Sequence, residues 1–303
     1  MSERVFDFCW FFMLNEENLK LIRMNKNELS EMLLRDGFAK VQYPASLRLA
    51  VSNFVKAWKG FVGQSLEHKM QISFLGNGGY ENKDPKIDSK LVDFKEDFHI
   101  NRSYDFPTDF KQTAEDATFL AAGHTLFNEI RPVSHLIAEM LSEVTGVDFV
   151  KLAVEKEDGW VIRALWYPPQ ENNILAAYHP DKSGHTVHLF DSVPGFERFW
   201  EGEWKSMSFP ETEAVFFPGM LGQYYSECKV KALAHRVVSS PESRSKGRVS
   251  IVLFTDYANG LMKYDKDKWG PTQQLLAPGQ NYTMPFEEFN KYFTERPSVI
   301  DSR

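Results

Sequence analysis

The stretch His179-Pro-Asp181-Lys-Ser-Gly-His185-Thr186-Val-His188-Leu-Phe-Asp191, a second histidine at His235, and Arg248-Val-Ser250-Ile-Val-Leu-Phe254 decide the reading of this chain. Residues two apart on an extended strand project to the same face, so His179 and Asp181 are expected to point inward together while Pro180 turns away. A third donor must come from a sequence-distant strand laid alongside by a closed or double-layered sheet, an arrangement that a jelly roll supplies. His235 fits that role. Two imidazoles and one carboxylate on one face of a metal ion hold iron(II) and leave adjacent coordination positions open for an oxo acid and dioxygen. By the same alternation Arg248 and Ser250 share a face, offering a guanidinium fork and a hydroxyl to one carboxylate deep in a barrel. A His-x-Asp triplet alone carries little information; the ordered set is far more specific than its parts.

Outward from these motifs, the chain from Asp148 onward breaks into short apolar runs separated by turn residues: Trp160–Tyr167, Leu175–His179, Thr186–Asp191, Ala214–Pro218, Ala234–Ser239 and Val249–Tyr257. Repeated short strands at this spacing predict a sandwich or barrel. Before them the texture is helical. Residues 26–36 carry apolar positions at helical spacing, with Asp36-Gly37 as a stop before a short strand at Phe38–Tyr43, and Leu47–Phe61 reads as an amphipathic helix. Residues 76–90, rich in Gly, Asn, Asp and Lys, read as a loop that covers a pocket mouth. Residues 112–146 give a long helical pattern with Pro132 inside, expected as a kink or as two helices meeting there, bracing the barrel. Residues 258–303 hold several prolines and a final helix at 286–293, expected to pack over the barrel or close the pocket. The expected organisation is one domain over 1–303, with a largely helical part at 1–147, a jelly-roll core at 148–257 and a C-terminal extension at 258–303. The fold class is mainly β with flanking helices.

At 303 residues and 35.0 kDa, one large all-β domain with added helices accommodates the whole chain. A formal charge of −7 and a pI near 5.7 argue against a nucleic-acid binder, because a phosphate backbone demands a basic face. With 43% hydrophobic and 14% aromatic residues the chain can bury a sizeable core. Two widely separated cysteines, Cys9 and Cys228, make neither a disulfide framework nor a zinc spacing and fit a reducing cytosol. The apolar run Val5–Leu14 lacks the charged flank and small-residue cleavage site of a signal peptide, and it is too short to span a bilayer. It reads as an N-terminal strand or helix packed on the main domain. These features together predict a cytoplasmic monomer that binds no membrane.

Several stretches resemble the isopenicillin-N-synthase-like branch of the Fe(II)/2-oxoglutarate-dependent dioxygenases. Arg163-Ala-Leu-Trp-Tyr167-Pro-Pro169 resembles the tyrosine-proline strand before the first ligands; His179-Pro-Asp181 with Thr186 resembles the His-x-Asp strand; Lys231–Val237 resembles the distal-histidine strand, and Gly247–Phe254 the Arg-x-Ser strand. Upstream, Arg35–Phe38, Leu66–Met70, Gly79–Glu81 and Asp93–Phe98 resemble the N-terminal helical and central regions, so the likeness runs from about Asn27 to Tyr257.

The resemblance implies a double-stranded β-helix (jelly roll) with His179, Asp181 and His235 as iron ligands. Arg248 and Ser250 would hold the distal carboxylate of 2-oxoglutarate, and Tyr167 would help to bind it. It further implies dioxygen as co-reactant, loss of carbon dioxide from the oxo acid, and attack on a C–H bond of a small metabolite by hydroxylation, desaturation or oxidative ring closure, as in specialised metabolism. Retention of Asp181 disfavours the halogenases of the superfamily. Two other readings stand beside this one: an oxidase of the same fold that uses no 2-oxoglutarate, and a catalytically silent jelly-roll binding module. His185 and His188 stand where the family usually has aliphatic residues, and Met220 stands where an acidic residue is common. If the substrate bears a carboxylate, a second cation besides Arg248 should line the pocket; Arg102, Lys95 and Arg163 are the candidates, with His188 as a further substrate contact. Arg244 is a nearby competitor of Arg248 on a more polar stretch.

Overall fold

Local sequence accounts for the first elements of the structure, a computed structural model that describes residues 26–42, 44–74, 78–83, 94–155, 157–200, 202–209, 212–226, 229–256, 272–277 and 280–284. The run at 5–14, both cysteines and the helix expected at 286–293 lie outside the described residues. Leu29 and Leu33, one turn apart, form the buried face of helix α1 (Lys26–Asp36), and Ala39 and Val41 are the buried alternate positions of strand β1 (Ala39–Gln42). Helix α2 (Ala45–Val62) buries Leu47, Val51, Phe54, Trp58 and Phe61 at helical spacing. Short helix α3 (Leu66–Met70) is capped by the Ser65 hydroxyl, which accepts from the His68 N–H.

Strands β2 (Gly79–Lys83) and β3 (Lys95–Ile100) follow as an antiparallel pair. β2 lies within the stretch expected as a loop. Its composition is that of a turn, but backbone pairing with β3 holds it extended, and such tertiary pairing outweighs weak local preference. Helix α4 (Ala114–Thr145) begins at a capping box between Thr113 and Asp116 and ends at Gly146, whose φ of 76° is the left-handed conformation of a helix stop. It runs as one helix through Pro132 rather than as two. Proline removes one intrahelical hydrogen bond, while Phe127, Ile130, Val133 and Ile137 on both sides of it bury into the same core. Helix α5 (Phe149–Glu155) leads into the strand-rich region.

That region comprises β4 (Val161–Tyr167), β5 (Ile174–His179), β6 (His185–Asp191), β7 (Phe196–Trp200), β8 (Glu203–Ser206), β9 (Glu213–Pro218), helix α6 (Met220–Tyr225), β10 (His235–Val238), helix α7 (Pro241–Lys246) and β11 (Arg248–Thr255). Strands β12 (Thr272–Ala277) and β13 (Gln280–Met284) form a separate hairpin. β7 and β8 are additions to the strands read from the sequence. All named strand pairs are antiparallel, in a seven-stranded sheet of order β1-β9-β6-β11-β4-β3-β2 and a four-stranded sheet of order β5-β10-β7-β8. The fold is a jelly roll whose larger sheet takes three of its strands from the N-terminal part.

Side-chain alternation gives the larger sheet two different faces. Val249, Ile251 and Leu253 of β11, Ile162 and Ala164 of β4, and Val187 and Leu189 of β6 join one hydrophobic core with residues of α2 and α4. On that side Phe54, Trp58, Phe61, Phe98 and Phe119 pack at centroid distances of 4.7 to 5.4 Å, burying large aromatic area against the helices. The opposite face, carrying Arg248, Ser250, Arg163, Tyr167, Thr186 and His188, lines a pocket between the two sheets.

Candidate active site

The pocket is built where the two sheets face each other. His179 ends β5 and His235 begins β10, and the two are direct cross-strand partners with ring centroids 4.5 Å apart. Asp181 is not a strand residue: β5 stops at His179, so strand alternation is not what aims this carboxylate. A built loop aims it instead. The Asp181 carbonyl accepts from the Met220 N–H at 2.7 Å, and the Ser183 carbonyl accepts from the Leu221 N–H at 3.1 Å, tying the loop to the start of α6. Gly219 makes this approach possible, because a Cβ there would stand 2.1 Å from the Ser183 carbonyl oxygen. Thr186 then donates to Asp181 Oδ2 at 2.6 Å, leaving Oδ1 toward the histidines.

The donor atoms converge. Asp181 Oδ1 lies 3.6 Å from His179 Nε2 and 3.8 Å from His235 Nε2, and the three ligand atoms all fall within 4.8 Å of one another. Each imidazole places Nδ1 against a backbone carbonyl, Ala177 at 2.6 Å and Leu233 at 3.0 Å, so Nδ1–H donates and the Nε2 lone pair is turned inward. Phe196 stacks on His235 at 4.8 Å, and burial lowers the pKa of this histidine to about 4, keeping it neutral as a metal ligand must be. His179 is 43% exposed, so the donor set opens on the pocket mouth. An iron(II) ion fits these residues in donor type, tautomer and an open side.

At the deep end of the pocket Arg248 is fully buried, with Nη1 donating to the Ser250 hydroxyl. Both sit on the inner face of β11, as alternation predicts. Asp191, at the end of β6, meets them: Ser250 donates to Oδ1 at 2.7 Å, Arg248 Nη2 lies 2.5 Å from Oδ2, and His188 Nε2 lies 2.9 Å from Oδ1. Burial opposes ionisation of Asp191, yet the charges of Arg248 and His188 and the Ser250 hydrogen bond prevail and hold its pKa below the usual carboxylate range. The Arg248 Nη2 contact lacks hydrogen-bond geometry, so this buried guanidinium nitrogen, on a residue that lines the pocket, keeps unused donor capacity among the described residues. A ligand carboxylate is the kind of group that would use it. The Tyr167 ring lies between two cations, 5.7 Å from the Arg248 guanidinium carbon and 5.9 Å from Lys95 Nζ.

Asp191 escaped the sequence reading for a specific reason. It stands five residues from Thr186, and strict alternation would put it on the opposite face. An irregularity in the β6–β11 pairing between Ile251 and Val252 shifts the register, so His188 pairs with Val252 and Asp191 with Ser250. His185, in contrast, faces the core. It is completely buried, its Nε2 lies 2.8 Å from the Ser134 hydroxyl of α4, and burial lowers its pKa to about 3.

Of the candidate cations, Lys95 and Arg163 line the pocket and Arg102 does not. The chain turns after β3, and Arg102 pairs with Glu157 at 3.4 Å, beside Arg131 and His135 on the same carboxylate. Arg244 is likewise excluded, being exposed and bonded to Ser239 and Asn173. His68 and His124 have structural partners, Asp116 and the Tyr104 carbonyl. His99 is closer to the site than the sequence suggested: Lys95, Asp97 and His99 share one face of β3, and His99 pairs with Arg163 across the β3–β4 ladder. Period-two reading of β3 would have found it. Glu81, Asp97 and His99 are also close enough to hold a cation, but Lys83, 3.0 Å from Glu81 and 3.5 Å from Asp97, already supplies one.

An antiparallel jelly roll with a histidine, aspartate and histidine donor set in its pocket is an arrangement suited to holding a single metal ion with open coordination positions. No family model matches the sequence. Among curated proteins, the chain is 28% identical over 149 residues to leucoanthocyanidin dioxygenase of Malus domestica, covering 46% of this chain and 40% of that protein. It is 26% identical over 166 residues to 1-aminocyclopropane-1-carboxylate oxidase homolog 6 of Arabidopsis thaliana, covering 52% and 45%. The matched segments thus span less than half the length of these relatives. Among solved structures, a 2OG-Fe(II) oxygenase family protein of Caulobacter crescentus shares the fold with a TM-score of 0.67 at 21% identity, over 91% of this chain and 95% of that one. The chain is thus similar in part of its sequence to two plant oxygenases and in its fold to a 2OG-Fe(II) oxygenase family protein.

Proposed function

We propose that this protein is a non-haem iron(II), 2-oxoglutarate-dependent oxygenase that acts on a C–H bond of a small metabolite. The observation that carries the proposal is the placement of a histidine, aspartate and histidine set and the Arg248–Ser250 pair in the lining of one pocket. His179, Asp181 and His235 would hold the metal, which supplies oxygen activation once the oxo acid is bound. Nδ1 bonds fix the two imidazoles, and Thr186 fixes the carboxylate. Arg248 and Ser250 receive the distal carboxylate of the cosubstrate by charge-assisted hydrogen bonds, with the Tyr167 ring beneath the guanidinium.

The pocket is a concave site between the two sheets, walled by Leu165, Phe196, Phe217, Val237 and Val252 with the polar groups converging inside it. That enclosure, together with the formal net charge of −7, supports a metabolite rather than a nucleic acid as substrate. Among the described residues no helix is long and apolar enough to cross a membrane, and the sparse cysteine usage supports work in a reducing cytosol.

The test is oxygen consumption and succinate formation by the purified protein with iron(II), with and without 2-oxoglutarate. Consumption that depends on both supports the proposal. Oxygen uptake independent of 2-oxoglutarate would assign an oxidase of the same fold, and no iron binding at all would leave a silent binding module.

A further inference from the structure

We propose that Arg163, supported by Lys95, is a second anion station in the pocket, and that the substrate is an apolar molecule carrying one carboxylate that docks there. This deepens the oxygenase reading and rests on it for the word substrate, but the anion site itself stands on its own geometry.

The inner face of β4 presents Arg163, Leu165 and Tyr167 to the pocket, and β11 adds Val252 and Phe254 beside Arg163. The Arg163 guanidinium carbon lies 5.1 Å over the Phe254 ring, and its buried Nε has no hydrogen-bond partner among the described residues. A buried donor left unpaired costs free energy, so the position favours an acceptor arriving from the pocket. Behind it, Asp97 of β3 and Glu81 of β2 lie beside Lys83, and the Arg163 and Lys95 charges also act on Asp97. His99 accepts the role of a neutral brace, its Nε2 2.8 Å from Asp97 Oδ1. Its burial lowers its pKa, outweighing the Asp97 hydrogen bond. Burial opposes the charge on Asp97, but the His99 hydrogen bond and the Arg163, Lys83 and Lys95 charges hold it ionised.

The Arg163 Nε thus has no hydrogen-bond partner among the described residues, and it stands at a different point of the lining from Arg248, which sits against Asp191. A guanidinium fork in this position suits a planar carboxylate. Leu165, Val252, Phe254, Phe217 and Val237 make the surrounding wall apolar, which calls for an apolar body behind the acid.

The experiment titrates phenylacetate and its uncharged analogue phenylacetamide by calorimetry into the full chain loaded with iron(II) and 2-oxoglutarate without oxygen. Wild type, Arg163→Gln, Lys95→Gln and Arg248→Lys are compared, and 2-oxoglutarate affinity is measured separately for each. Wild type should bind the acid at least about tenfold more tightly than the amide, the loss of one charged hydrogen bond being of that order. Arg163→Gln should erase this preference while leaving amide binding and 2-oxoglutarate affinity unchanged, and Lys95→Gln should reduce it in the same sense. Equal or undetectable binding of the two probes by wild type overturns the proposal. So does a preference that survives in both glutamine variants, or an Arg163→Gln protein whose loss falls on 2-oxoglutarate instead. Should wild type bind no 2-oxoglutarate but keep the acid preference, the oxygenase reading fails and the anion station stands.

Discussion

The pocket has two cationic regions that differ in how their charge is balanced. At the floor Arg248 is fully buried and sits against Asp191, with Ser250 and His188 completing a closed polar group. Along the β4 wall Arg163 is half-buried beside the Phe254 ring, with its Nε lacking a hydrogen-bond partner among the described residues. A buried ion pair costs desolvation that only good geometry repays, and breaking one by removing a partner leaves an uncompensated charge. The floor arginine is thus held in place by a resident counter-charge, while the wall arginine is held against an aromatic ring with its Nε unpaired among the described residues. Position in the sheet separates two arginines that composition cannot.

The largest effect expected tests the element that both regions serve. His235→Ala or His179→Ala should abolish iron binding and turnover while leaving the fold largely intact, and metal analysis that finds undiminished iron in both would remove the centre from the comparison. Thr186→Val leaves all three ligands but frees the Asp181 carboxylate, so iron affinity should fall by about 10- to 100-fold, read by metal titration. Arg248→Lys keeps the charge and loses the planar fork, so the 2-oxoglutarate requirement should rise by about tenfold, while Arg163→Lys leaves it unchanged. A reversed result would exchange the roles of floor and wall.

Asp191→Asn probes the balance directly. Stability without ligand should drop by about 3 kcal/mol as Arg248 loses its partner, and added 2-oxoglutarate should raise the melting temperature more in the variant than in wild type. An equal ligand-induced shift in the two proteins would mean that Asp191 is not the resident counter-charge.

The smallest effect at neutral pH concerns His185, the histidine on the other face of β6. Its folded pKa of about 3 lies below the unfolded value of 6.5, so the unfolded chain binds the extra proton. Its contribution to stability is complete above pH 6.5 and is lost as pH falls toward 3. His185→Gln should lower the slope of stability against pH in the upper part of that window without removing it, because His235 is depressed in the same direction. Denaturant melts at about pH 7, 6 and 5 would check this.

Much of this architecture is legible in residue order alone. Period-two patterning in 160–167, 186–191 and 248–254 places the strands to within a residue or two, and helical spacing in 47–61 finds α2, because these segments bury one face and their local pattern must show it. The donor types at His179, Asp181 and His235 and the pairing of Arg248 with Ser250 follow from chemistry and strand alternation. Three decisions belong to tertiary structure. Asp181 is aimed by a loop anchored on α6 and not by its strand. Asp191 reaches Arg248 only because the β6–β11 register shifts. Arg163 enters the pocket while Arg102 turns away, since neighbouring strands and a distant glutamate choose between cations that look alike in sequence. In each case the deciding contact joins residues far apart in the chain, and local periodicity carries no information about such a partner.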